Sequence, residues 1–268
     1  SCVVRPAHVS ERLWAGHVKL YADGSRGAVT ALLHAPYTDE PGNSGLVVLE
    51  LPLLQEKIEL AYRRGFHVAI HAIGDKAVTH CLLAISGARK SHPGLKRDRI
   101  EHVQLYRPED LALLQELGVV GSVQPRFVST DWCVAEKRWG AARCQTGYAW
   151  RSLMNAGIPL LFGSDAPVEP LAPILGLQAA VTRQTPEGQP PGGWFPGQRL
   201  TLEESIAGFT AAPAWASGRQ EQSGSIRVGK WADLTVFAQD LFIVPPAEWP
   251  SVPVEMTIVN GEVLYQHG

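Results

Sequence analysis

The sequence predicts an α/β protein, a parallel sheet or a (β/α) barrel, followed by a small β-rich module. Three observations predict it. Short β-rich runs alternate with longer amphipathic stretches, the order that builds a parallel sheet with helices across its face. After Pro213 this order gives way to paired strand-like runs separated by tight turns. With 268 residues the chain is long enough for one large domain and a smaller one, and for a sizeable core.

The β-rich runs are HVKLYAD (17–23), FHVAIHAI (66–73), RIEHVQL (99–105), GVVGSVQP (118–125) and IPLLFGSD (158–165). Between them ELPLLQEKIELAYRRG (50–65) and PEDLALLQELG (108–118) carry helical spacing. In the second, Leu111, Leu114 and Leu117 share a face and Gly118 closes the end. Asp75, in HAIGDKAV, reads as the N-cap of the helix that follows. The runs GSIRVGKWADLTVFAQD and VEMTIVNGEVLYQ read as antiparallel strands, with Asn260-Gly261 a two-residue hairpin turn. The domains expected are therefore 1–213 and a β module over 214–268, its strands within 224–267. The Pro/Gly-rich piece QTPEGQPPGGWFPGQ (184–198) is an irregular loop, a lid or a solvated excursion.

Composition excludes several function classes. With 24 basic against 26 acidic residues there is no electrostatic footprint for a nucleic acid or an anionic membrane. The apolar runs fall short of the roughly 20 residues that span a bilayer, and the first residues lack the basic-then-apolar order of a signal peptide. Four cysteines, at 2, 81, 133 and 144, show no CxxC pairing and favour free thiols in a reducing compartment, the cytoplasm. There is no G-x-S-x-G elbow, P-loop or dinucleotide fingerprint. A small neutral substrate fits better than a polymer.

Three β runs end in residue types that bind metals: His71 ends HVAIH, His102 ends RIEH and Asp165 ends LLFGSD. In a parallel barrel all strands point one way, so their C-terminal ends share a rim where such barrels place chemistry. A lone histidine there is more often structural, but two histidines and an aspartate on three strand ends are harder to assign to packing. Alternation sets His67, Ala69 and His71 on one face and Val68 and Ile70 on the other. The same alternation sets Lys19, Tyr21 and Asp23 together. A lysine buried among apolar neighbours must lose its proton, find an anion, or take up carbon dioxide as an anionic carbamate able to bridge two metals.

These residues resemble the metal-dependent amidohydrolase superfamily, in the branch related to N-substituted formamide deformylases. The resemblance rests on VKLYADGS, GFHVAIHAIGDKAV, RIEHVQ, GVVGSVQP, YAWRSLMNAGIPLLFGSDAPVEP, AVTRQ, LTLEESIAGFTAAPAWA and GSIRVGKWADLTVF, in that order. It implies a (β/α)₈ barrel holding one or two divalent metals, zinc by preference, with Lys19 on the fourth strand, His71 on the fifth, His102 on the sixth and Asp165 on the eighth. It also implies that Asp165 is both a ligand and the general base or proton shuttle. Water beside the metal would ionise near neutral pH and attack an amide-type carbonyl, and Asp165 would pass the proton to the departing amine. Arg183 and Gln124 are the substrate-contact candidates; Tyr148, Trp150 and Trp194 are as easily structural.

The family's first strand carries its ligands as H-x-H, and none of the nine histidines here sit two apart. Only five barrel strands can be counted, so the chain reads as the C-terminal part of a barrel, strands four to eight, with a small β-rich module. An open five-stranded sheet leaves raw edges and an uncovered face, which calls for either the missing N-terminal half or self-association. The expected function is hydrolysis of a non-peptide carbon–nitrogen bond, with this portion inactive by itself. The alternative is a non-catalytic binding or regulatory protein derived from the hydrolase fold.

Overall fold

The computed structural model describes residues 7–10, 13–94 and 97–268. Its elements begin with β1 (Ala7–Ser10), β2 (Leu13–Ala15) and β3 (His17–Tyr21), then α1 (Leu51–Arg63), β4 (His67–Ala72), α2 (Asp75–Ser91) and β5 (Arg99–His102). There follow α3 (Leu111–Leu117), β6 (Val120–Val123), α4 (Pro125–Trp139), α5 (Ala141–Cys144), α6 (Trp150–Asn155), β7 (Leu160–Phe162) and α7 (Pro173–Thr182). The chain closes with α8 (Leu202–Phe209), α9 (Ala211–Ala216), β8 (Leu234–Phe237), β9 (Val254–Val259) and β10 (Glu262–Gln266). Two compact units form, Ser1–Val123 with Cys133–Leu160 and Gln124–Trp132 with Leu161–Gly268.

In the first unit β3, β4, β5 and β6 are parallel neighbours in sequence order. Leu160, where β7 begins, extends the same sheet, and Gly121 N–H donates to the Pro159 carbonyl at 2.9 Å. Each expected β run forms a strand shorter than the run itself. The register aligns Tyr21 with His71, His71 with Glu101 and Glu101 with Ser122; two residues earlier it aligns Lys19 with Ala69 and Ala69 with Arg99. One face of the sheet is therefore polar, with His67 and His71 on it. On the other, Val68, Ile70 and Ile100 are fully buried, each such side chain contributing about 1.5–3 kcal/mol.

Helices α1 and α2 pack on each other and on β4. In α1 the buried residues Leu54, Ile58, Ala61 and Tyr62 recur at helical spacing. Pro52 suits its first turn, and Gly65, at φ 80°, turns the chain out after it. The expected helix over 108–118 is a 3₁₀ turn, Pro108–Asp110, leading into α3, which Gly118 ends at φ 56°. Asp75 is the first residue of α2 and Gly74 is its cap. The Asp75 carboxylate instead accepts the N–H of His34 at 3.0 Å and of Lys76 at 2.8 Å, so it ties a loop to the helix start.

At the foot of the sheet, Asp98 has no exposed side-chain surface. It accepts the Tyr62 hydroxyl at 2.5 Å, Val68 N–H at 3.0 Å, and Arg89 Nη2 and Nε at 2.7 and 3.2 Å. Arg89 Nη1 also donates to the Leu117 carbonyl. This node joins α1, α2 and β4 at the strand starts, where a parallel α/β sheet uses its polar residues for stability.

The second unit has an antiparallel sheet in the order β10, β9, β8. Asn260 and Gly261 form the β9–β10 turn at φ 51° and 82°, the two left-handed residues of the expected hairpin. The stretch before β8 is irregular, not a strand. Lys230 Nζ donates to the carbonyls of Gln220 and Ser223 and to Ser225 Oγ, which folds residues 220–230 into turns. A core of Ile174, Leu177, Leu202, Leu241, Trp249 and Val252 lies under α7 and α8. Thr201 and Glu204 form a capping box that starts α8.

Candidate active site

The polar face of the first unit gathers its chemistry where β3, β4 and β5 end. His71 is two-thirds of the way along a line of contacts: Lys19 Nζ lies 5.1 Å from the Tyr21 ring centre, Tyr21 lies 5.3 Å from His71, and His71 lies 4.5 Å from His102. His102 pairs in register with Ala72 and so begins on the opposite face from His71. Its backbone, at φ 79° with Val103 at 42°, turns left-handed and brings the ring round. Such conformations cost non-glycine residues about 1–3 kcal/mol each and gather at functional sites.

His71 is held closely. Its Nε2 lies 2.7 Å from the Gly24 carbonyl and 3.6 Å from Asp23 Oδ1. A carbonyl only accepts, so Nε2 carries the proton and the imidazole lone pair belongs to Nδ1. Asp23 is buried, and desolvation pushes its carboxyl up to about 7 against the pull of backbone N–H donors, those of Gly74, Leu32 and Ile73 foremost. Glu101, in register with His71, is also buried and accepts Arg99 Nε at 2.6 Å. Burial holds the imidazoles of His67 and His17 below the usual histidine range.

Lys19 is exposed. The desolvation argument for an altered lysine therefore does not apply in this chain: among the described residues β3 is the edge strand of the five-stranded sheet. Alternation correctly set its face but carried no information on whether that face is covered.

The second unit carries Gln124, Asp165 and Arg183. Asp165 is exposed in a left-handed turn at φ 59°, and its carbonyl accepts Val168 N–H at 2.9 Å. Gln124 is buried beside the start of α4, its carbonyl accepting Phe127 N–H at 3.0 Å. Arg183 is wholly buried at the end of α7. Its Nε donates to the Trp194 carbonyl at 2.5 Å, Trp194 N–H donates back at 3.0 Å, and the guanidinium lies 5.5 Å from the indole. Arg183 thus pins the 184–198 loop. That loop is further bound by Gln184 Nε2 to the Gly188 and Pro190 carbonyls. Tyr148, Trp150 and Trp194 are buried as packing residues.

Among the described residues no three His, Cys, Asp or Glu side chains converge as a metal-binding group. Two imidazoles from adjacent strand ends, one with its tautomer set by a backbone carbonyl, fit part of a divalent-metal ligand set and need further donors to complete it. Asp23 and Glu101 are the residues that sequence reasoning passed over. Glu101 is set beside His71 only by the β4–β5 register, and the partners of Asp23 are backbone groups far along the chain.

Residues 4–265 match the amidohydrolase family. Over 253 residues the chain is 34% identical to YtcJ of Bacillus subtilis, named as an amidohydrolase, covering 94% of this chain and 47% of that protein. It is 27% identical over 208 residues to the N-substituted formamide deformylase of Arthrobacter pascens, covering 77% of this chain and 38% of the deformylase. A metal-dependent hydrolase of Pyrococcus horikoshii, uncharacterised in function, superimposes with a TM-score of 0.79 at 34% identity, over 90% of this chain and 48% of its own. The chain spans somewhat under half the length of the relatives it matches.

Proposed function

The chain belongs to the amidohydrolase family, and from that premise we propose that it is the C-terminal portion, strands four to eight with a small β module, of a metal-dependent hydrolase cleaving a non-peptide carbon–nitrogen bond. The observation that carries the reading is the meeting of His71 and His102 at adjacent strand ends, 4.5 Å between ring centres. The deformylase relative supports an amide or formamide substrate, and the Pyrococcus neighbour supports a divalent metal. In this reading the barrel portion is 1–213 and the β module 214–268.

His71, His102, Asp165 and Lys19 would hold the metal, Lys19 as its carbamate, and mixed nitrogen and oxygen donors suit zinc. When bound, the metal supplies Lewis acidity that makes water nucleophilic near neutral pH and polarises the substrate carbonyl. His71 contributes Nδ1, its Nε2–H being donated to Gly24. Asp165 receives the proton of the attacking water at its carboxylate and passes it to the departing amine. Gln124 contacts the substrate, and Arg183 acts at one remove by holding Trp194 in place. The sheet's open side is covered by the rest of the barrel or by a second copy, and the isolated 268-residue chain does not turn over. No described helix is long and apolar enough to cross a membrane. Cys81, Cys133 and Cys144 are free thiols, which supports work in the cytoplasm.

The test is elemental analysis of the natural gene product together with hydrolysis of a panel of N-substituted formamides and simple amides. Stoichiometric metal with turnover supports the reading. Metal-free protein without turnover overturns it and leaves a binding or regulatory protein built on the hydrolase fold.

A further inference from the structure

The contacts around His71 converge on a residue outside the proposed ligand set. Asp23 lies two residues beyond β3 with no exposed side-chain surface. Its Oδ2 accepts the N–H of Leu32 and of Gly74, both at 2.9 Å, and its Oδ1 accepts that of Ile73 at 3.1 Å. Ile73 and Gly74 are the second and third residues after His71. The residues on either side of Asp23 grip His71 itself: Ala22 N–H donates to the His71 carbonyl at 2.9 Å, and the Gly24 carbonyl accepts Nε2–H at 2.7 Å.

The cradle leaves no room for a side chain at Gly24 or Gly74. A Cβ on Gly74 would stand 2.0 Å from the Leu32 carbonyl oxygen, and one on Gly24 would stand 2.1 Å from Thr30 Oγ1. Asp23 Oδ1, 3.6 Å from His71 Nε2, is beyond hydrogen-bond reach, so Asp23 acts on the ring through the backbone it holds.

We propose that Asp23 is a positioning residue that sets the Nε2–H tautomer and the ring direction of His71, so that Nδ1 is the nitrogen offered to a metal cation. The tautomer stands on this chain's own geometry; the metal-directed purpose rests on the function proposed above. Buried carboxylates that orient ligating histidines raise metal affinity by about 10–100-fold, and Asp23 does this by fixing the backbone on both sides of the ring.

The experiment is long-range ¹H–¹⁵N correlation spectroscopy of the chain labelled with ¹⁵N-histidine, at a pH where imidazoles are neutral, with His71 assigned by its loss in His71→Gln. The wild type should show His71 as the Nε2–H tautomer alone. Asp23→Asn, and Asp23→Ser as a smaller uncharged acceptor should Asn not fold, should lose that single-tautomer pattern while the other histidine signals stay in place. A wild-type Nδ1–H signal overturns the proposal, as does an unchanged His71 tautomer in a folded Asp23 variant. In the natural gene product, Asp23→Asn should weaken metal retention against a competing chelator by tenfold or more. A changed tautomer with unchanged metal retention overturns the metal-directed purpose. A wild type that takes up no metal while keeping the Nε2–H signature sinks the proposed function and leaves the positioning of His71 standing.

Discussion

The rings of His71 and His102 meet edge to face, 4.5 Å apart at 70°, although the strand register starts them on opposite faces of the sheet. The left-handed backbone at His102 and Val103 closes that gap. Asparagine tolerates φ near 79° and a β-branched residue does not. His102→Asn should therefore unfold at higher urea concentration than His102→Val, by about 1 kcal/mol or more. The reverse ranking would mean that packing around the ring, and not the turn, governs this position.

Asp165 also has a left-handed backbone, at φ 59°, in an exposed turn. Asn accepts that conformation and nearly matches the shape, so Asp165→Asn in the natural gene product stripped of metal should leave the melting temperature unchanged. Loss of general acid–base catalysis should lower the hydrolysis rate by about 10²–10⁴-fold. Retained activity would remove the proton-transfer role assigned to this carboxylate.

Asp98 receives four donors at the foot of the sheet, two of them from the Arg89 guanidinium. Asp98→Ala leaves that guanidinium, and the Tyr62 hydroxyl, without their carboxylate and should cost about 3–5 kcal/mol in urea unfolding. The double variant Asp98→Ala with Arg89→Met should recover part of the loss, because no buried charge is left alone. A double variant no more stable than Asp98→Ala would show that the charge pair is not the source of the cost.

Much of this architecture can be read from residue order, and the exceptions have physical causes. Period-two alternation separates His67 and His71 from Val68 and Ile70 because strand side chains must alternate, and the Asn260-Gly261 turn follows from the need for two left-handed residues. Neither rule says whether a face is covered, so Lys19 read as buried lies exposed. A left-handed step at His102-Val103 leaves no mark when neither residue is glycine or asparagine. The role of Asp23 is hidden for another reason: its partners are the backbone N–H groups of residues 32, 73 and 74, which any side chains would have supplied.

His17 and His67 stack 5.5 Å apart on the polar face, His17 Nε2–H donating to the Arg97 carbonyl at 2.8 Å. Burial lowers both affinities for a proton, and the His67 Nδ1 is buried with no hydrogen-bond partner. With the folded values below the ordinary 6.5, the unfolded chain binds more protons as pH falls. Stability from these groups is thus complete above about pH 6.5 and declines below it, by up to about 1.4 kcal/mol per pH unit for each group. Asp23 titrates in the opposite sense: its raised value of about 7 makes the folded state the better proton binder between its ordinary range and neutrality, so its contribution grows as pH falls. Comparing wild type with His67→Leu cancels the Asp23 effect. Between pH 7.5 and 5.5 the variant should lose less stability in urea than the wild type, and an equal loss in both would show that His67 carries no charge penalty in the fold.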